Sequence, residues 1–284
     1  MKIKAWHIVL AVGLAAGALR FVLDPDTTGP AGAALFLGEV LLLFALALRY
    51  AKLVEGRKTS RVMFFLFLLV ALDWIAEAVS MRTGLLGGYY AYEAALLQRR
   101  IGGVPLLVLL GWALFGLLSG SVTHFLLTGD SSAGSRFGRR DPGLGVAALT
   151  NGAVMLGIDL AVEWHFSGAA GFWTWRPTEG VTPTLSGVPA GNFLLWFAVG
   201  CAVPFVERLA GADRREERAA GFLLRASPAL GFVLLLFAGT LLDLATGATA
   251  GAIACLTGLV AVTARLVRLR AQARQLKFNL DADD

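Results

Sequence analysis

Charge is scarce in this chain, and the scarcity narrows its chemistry before any motif is read. Only 16% of its 284 residues are Asp, Glu, Lys or Arg, against 57% hydrophobic ones, and the mean hydropathy is +0.69. Values of that kind lie outside the range of ordinary soluble domains. The two cysteines, Cys201 and Cys255, sit inside apolar runs and read as small core residues that say nothing about redox compartment. His7, His124 and His165 are scattered between opposite ends of their runs, so they do not converge as metal ligands. No HxxxH or HxxHH box is present, which argues against a di-iron hydroxylase or desaturase. A GxxxxGK[ST] phosphate loop is missing, as is an Asp-rich diphosphate motif, which disfavours prenyl transfer through magnesium. No Ser–His or Cys–His nucleophile pair can be assembled with any specificity. The expectation is a site with no metal and no cofactor.

Long uncharged runs are abundant. We read eight membrane spans, roughly Trp6 to Leu23, Ala31 to Leu48, Val62 to Val79, Val104 to Leu127, Leu144 to Phe166, Val188 to Leu209, Ser227 to Ala245 and Thr249 to Val267. Each approximates the 20 residues that a helix needs to cross the hydrocarbon, and runs apolar on all sides satisfy their backbones in lipid as helices, not as barrel strands. The fold class is therefore an all-α integral membrane protein, with residues 1–284 as one polytopic domain. Twenty of the 25 lysines and arginines fall in alternate connecting segments, which predicts both termini inside and a multi-pass protein of the cell (plasma) membrane. The same distribution explains the net charge of +5 by topology and excludes nucleic acid as a partner. An alternative for the first span is a signal peptide, with Lys2 and Lys4 ahead of the apolar core and Ala16-Gly17-Ala18 as the cleavage site.

One cassette occurs twice. Asp159 and Glu163 interrupt an apolar run, Gly171-Phe172-Trp173-Thr174-Trp175-Arg176 follows, and Gly187-Val188-Pro189-Ala190-Gly191-Asn192-Phe193 opens the next run. Earlier, Asp73 and Glu77 are followed by Gly88-Tyr89-Tyr90-Ala91-Tyr92 and by Gly103-Val104-Pro105. The acids are 86 residues apart, and the Gly-Val-Pro triplets and Trp112/Trp196 are 84 apart. This predicts repeat A over about 62–127 and repeat B over about 144–209, flanked by helices within 6–48 and 227–267. The repeats run in the same direction, so a pseudo-two-fold axis along the membrane normal would bring their carboxylates together toward the outer leaflet.

Each Asp/Glu pair has i,i+4 spacing, which puts both carboxyls on one helix face. A single Asp at the centre of a membrane helix costs about 2.5 to 3.5 kcal/mol on insertion scales, so four buried acids call for a purpose. Paired carboxyls in a dry pocket divide into a protonated donor and an ionised acceptor, the equipment of general acid/base catalysis. Asp159, Glu163, Asp73 and Glu77 are the catalytic candidates, and Arg20, Arg82 and Arg176 are their alternative ion-pair partners. Trp74, Tyr89, Tyr92, Trp164, Trp173 and Trp175 offer ring faces to an extended apolar ligand or a transient cation. Tyr90 belongs to the same interleaved set, and Tyr90 and Tyr92 read equally well as part of an aromatic belt. Pro105 and Pro189 are expected in the first turns of helices, with Asn192 one turn further aiming a donor at the carboxylates. Glu39 and Asp243 are lone buried acids.

The residues Asp159-x-x-x-Glu163, Gly171-Phe172-Trp173-Thr174-Trp175 and Gly187-Val188-Pro189-x-x-Asn192-Phe193-x-x-Trp196, with Glu77, Thr83-Gly84 and Gly88-Tyr89-x-x-Tyr92, resemble the membrane-bound carotenoid biosynthesis family that contains the CruF-type end-group hydratases. The resemblance spans Asp73 to Trp196. It implies an enzyme that adds water to the terminal double bond of an acyclic carotenoid, without a cofactor, with the four acids as catalysts. Substrate would be gripped by the aromatics together with Arg176 and Asn192. The implied partners are a lipophilic carotenoid, water, membrane lipid and other enzymes of the same pathway. A carrier that uses intramembrane carboxylates, or a non-catalytic lipid-binding subunit, remains open on the residues alone.

Overall fold

The computed structural model describes residues 30–53, 55–84, 88–93, 99–129, 143–169, 171–176, 183–211 and 225–282. The expected first span, with Arg20, lies outside these residues. In chain order the elements are α1 (Pro30–Leu53), α2 (Thr59–Thr83), β1 (Tyr89–Tyr92), β2 (Arg100–Ile101), β3 (Val104–Pro105), α3 (Leu106–Thr128) and α4 (Leu144–Trp164). A π-helical turn (His165–Ala169) follows, then β4 (Trp173–Arg176), β5 (Thr184–Leu185), β6 (Val188–Pro189), α5 (Ala190–Leu209), α6 (Ser227–Ala245) and α7 (Thr249–Ala282). Six helices, α2 to α7, are long and apolar enough to cross a membrane. The all-α membrane architecture is thus as expected, and α7 runs on well past Val267.

Two features depart from the expected helices. The prolines do not sit in first turns: Pro105 and Pro189 precede α3 and α5 in extended conformation, with ψ of 136° and 132°. Each lies in a two-residue strand folded back by a tight turn, Gly102-Gly103 between β2 and β3 and Ser186-Gly187 between β5 and β6. All four turn residues have positive φ, the requirement of a type I′ hairpin, so the turns hold the prolines outside the helices. The second feature is a ribbon in which β1 pairs antiparallel with β4, joining the two aromatic connectors at one end of the bundle. Gly84 closes α2 with φ +64°, the left-handed C-cap that lets the chain turn into this ribbon.

Small residues set the helix spacing beneath the ribbon. A Cβ added to Gly200 in α5 would lie 2.9 Å from the Gly152 Cα in α4, so the two backbones meet there. Asn151 donates to the Gly200 carbonyl at 2.8 Å and accepts from Thr123 of α3 at 3.0 Å, tying three helices together inside the apolar core.

At the opposite end, the Arg57 guanidinium is buried between Glu55 and Glu207, each 2.7 Å away. Burial alone would lower its pKa; the two carboxylates outweigh burial and hold it above the ordinary arginine value. Replacing Arg57 by Leu removes the buried cation that Glu55 and Glu207 share, a loss of about 3–5 kcal/mol. The expected result is a clearly lower thermal midpoint of the detergent-solubilised protein, and an unchanged midpoint would refute the lock.

Candidate active site

Strand parity builds the site. Side chains alternate across a strand, so Tyr90 and Tyr92 of β1 share a face with their cross-strand partners Trp175 and Trp173 of β4. That face looks down on the carboxylates of α2 and α4, and the rings pack on one another: Tyr90–Trp175 centroids are 4.9 Å apart and Tyr90–Tyr92 centroids 5.3 Å. Tyr89 and Arg176 point the other way and are exposed.

Below the ribbon is a cavity of about 340 Å³. Its polar groups are few and concentrated. Glu77 receives three donors, the Tyr90 and Tyr92 hydroxyls on Oε2 (the latter at 2.9 Å) and Trp112 Nε1 on Oε1 at 2.9 Å. Burial first, and the Glu77 charge second, push both phenols above the usual tyrosine range, so they stay protonated and donate. Glu163 is held in the same manner by indoles: Trp173 and Trp175 donate to Oε1 at 3.0 and 2.5 Å. Asn192, one turn into α5, donates to Asp159 Oδ2 at 2.9 Å and reaches Glu163 Oε2 at 3.4 Å. Asp159 is fully buried, and its Oδ1 has no donor. It stands one helical turn from Glu163 on the same face of α4, and both line the cavity together with Glu77. The floor is a stacked pair, Trp112 and Trp196, with centroids 4.0 Å apart and planes at 24°. His165, in the π-helical turn where α4 widens, lines the wall. Such turns inside α-helices concentrate at functional sites.

The cavity therefore gathers Glu77, Asp159, Glu163, Tyr92, Trp173, Trp175 and Asn192 from the expected set. The others stand apart. Asp73 is buried outside the lining, and neither of its oxygens has a hydrogen-bond donor. The reason lies 84 residues before Asn192, where α3 has Val108 and no amide to offer. Trp74 donates to the Ile101 carbonyl at 2.9 Å and packs on Gly102, and Trp164 donates to the Ser186 carbonyl at 3.3 Å; both indoles brace hairpins. Tyr90, one of the interleaved aromatics, lines the cavity as well; Trp112, Trp196 and His165 are further lining residues, and the 84-residue spacing of the two tryptophans is the sequence signal for them. Among the described residues, neither Arg82 nor Arg176 forms an ion pair with any of the four acids, and Arg20 lies outside those residues. Asp243 lies 3.8 Å from Cys255 Sγ, away from the cavity.

This arrangement can protonate an apolar ligand and hold the resulting cation between ring faces and anionic oxygens. The chain matches no solved structure and no curated protein. Residues 37–264 match the family model described as carotenoid biosynthesis protein. That match encloses every residue of the cavity, and the chain belongs to the carotenoid biosynthesis protein family.

Proposed function

We propose that the protein is an enzyme of carotenoid biosynthesis that hydrates the terminal double bond of an acyclic carotenoid end, giving a tertiary alcohol, in the cell membrane. The observation that carries the reading is the unequal treatment of three carboxyls in one apolar cavity. Glu77 and Glu163 accept several neutral N–H and O–H donors, which suits ionised groups, whereas Asp159 keeps one oxygen without a donor beside Glu163.

Asp159 is the proton donor. Its proton goes to the less substituted carbon of the terminal alkene, the π electron pair forms the new C–H bond, and the adjacent carbon becomes a tertiary cation. That cation rests against Trp173 and Trp175 with Glu77 and Glu163 as its counter-charges. A water oxygen then bonds to the cation while Glu77 takes the water's second proton. Passage of this proton back to Asp159 through water restores the starting state, so no electrons are gained or lost. The two cassettes act as one site: repeat B supplies the acid and repeat A the base.

The test is the pigment profile of cells that supply an acyclic carotenoid and express this chain. A tertiary hydroxyl at the chain end is expected. An unchanged profile with the protein present in the membrane overturns the reading.

A further inference from the structure

The cavity is too small for a whole carotenoid. At about 340 Å³ it lies near the lower end of the range for small-molecule pockets. A long polyene filling it end-first leaves most of its length outside, so the question is where that length goes.

The lining answers it. On α3, Leu107, Gly111 and Phe115 follow one another at four-residue spacing along one face, and all three are half-buried, whereas Trp112, Ala113 and Leu114 beside them are buried. Half-buried apolar residues of α1 (Val40, Leu43) and α6 (Leu235, Leu242) flank this stripe. Both helices pack on α3, and they share no substantial interface with each other. Among the described residues, an apolar arm of the cavity floored by α3 thus runs from the carboxylates outward between α1 and α6.

Gly111 occupies the middle of that floor. Most interior glycines of this fold are required by a neighbour: a Cβ on Gly116 would meet Leu69 at 2.6 Å, and one on Gly239 would meet Ala161 at 2.6 Å. A Cβ on Gly111 would meet nothing within 4 Å, and its helical backbone needs no positive φ. Glycine inside a helix carries an entropic penalty relative to alanine, and here no packing contact offsets it. At the matching position of the other cassette stands Leu195.

We propose that this arm is a lateral slot through which a linear isoprenoid chain enters from the bilayer, end-first, and that Gly111 sets its bore. The proposal rests on the hydratase reading above and deepens it. The substrate class is a thin acyclic isoprenoid hydrocarbon chain dissolved in lipid. One end reacts per binding event, and the remaining chain lies between α1 and α6.

The experiment compares wild type, Gly111→Ala, Gly111→Leu and Gly111→Phe in proteoliposomes with two probes, lycopene and the short chain farnesene. Gly111→Phe should lower lycopene hydration by at least about tenfold and farnesene hydration by a clearly smaller factor, because only the long chain must stay threaded past position 111 while its end reacts, and a tenfold gap is within the scale on which pocket size discriminates between chains. Gly111→Ala and Gly111→Leu should fall in between and in order of size. Should the Phe variant fail to accumulate, the Ala and Leu variants carry the same comparison. Lycopene hydration equal to wild type in all accumulating variants overturns the slot, as does an equal loss on both probes. Those outcomes leave the hydratase reading standing if wild type still hydrates lycopene. Hydration of neither probe by wild type removes that reading and the slot with it.

Discussion

Asp159→Asn should abolish detectable hydration, a loss on the scale of about 10²–10⁴-fold that a general acid contributes, while the protein still accumulates in the membrane. Asn has the shape of Asp and can still accept from Asn192 through its Oδ1, so the 2.9 Å contact that ties α4 to α5 survives. Its amide nitrogen replaces the oxygen that has no donor and can donate to Glu163. Folding therefore loses little, and the variant lacks only a proton to give. Product formed at the wild-type rate, normalised to protein by immunoblot, would refute Asp159 as the acid.

Asp73→Asn is the matched control. Asp73 occupies the corresponding place in the first cassette, but Val108 stands where Asn192 would be, and its carboxyl lies outside the cavity. A buried carboxyl without donors is a cost to the fold, so neutralising it should leave hydration intact and favour accumulation. The two substitutions change the same chemical group near corresponding positions of two membrane-spanning helices, α2 and α4. A difference between them is a difference of site, not of membrane insertion.

Much of this site is legible as residue types and much less as geometry. The helices follow from hydropathy alone, because lipid leaves the backbone no other way to satisfy itself. The Asp/Glu spacing placed each pair on one face, and Asn192 one turn into α5 does meet Asp159. The ribbon was not legible: strands of two and four residues give too little alternation to distinguish them from loops. By residue type Tyr89 and Arg176 belong with Tyr92 and Trp173, and only the register of β1 against β4 separates the face over the cavity from the exposed one. Trp74 and Trp164 misled for a related reason. Each follows an acid or immediately succeeds one in sequence, yet one residue along a helix turns a side chain by about 100°, away from the face that carries the carboxylate. Pro105 and Pro189 marked the helix starts to within a residue or two, while the paired glycines and Ser186-Gly187 that hold them outside α3 and α5 act through positive φ, which composition does not display.

Glu77→Gln should lower the turnover number by about 10²–10³-fold with little change in KM, the signature of a group that acts on the charge developing in the transition state. Glu77 is expensive to keep: an anion at this depth needs the Tyr90 and Tyr92 hydroxyls and the Trp112 indole merely to be tolerated. The expense is recovered only when a cation forms within the cavity, where low dielectric makes the attraction strong. Gln preserves the geometry in one orientation, with Oε1 accepting from Trp112 and the amide donating to two hydroxyl oxygens, which rotate to accept. What disappears is the charge and the capacity to take a proton from water. Single-turnover and steady-state rates in proteoliposomes separate the possibilities. A rise in KM with an unchanged turnover number would make Glu77 a group that merely positions substrate, and the base would then have to be Glu163, whose Oε2 receives the 3.4 Å contact from Asn192.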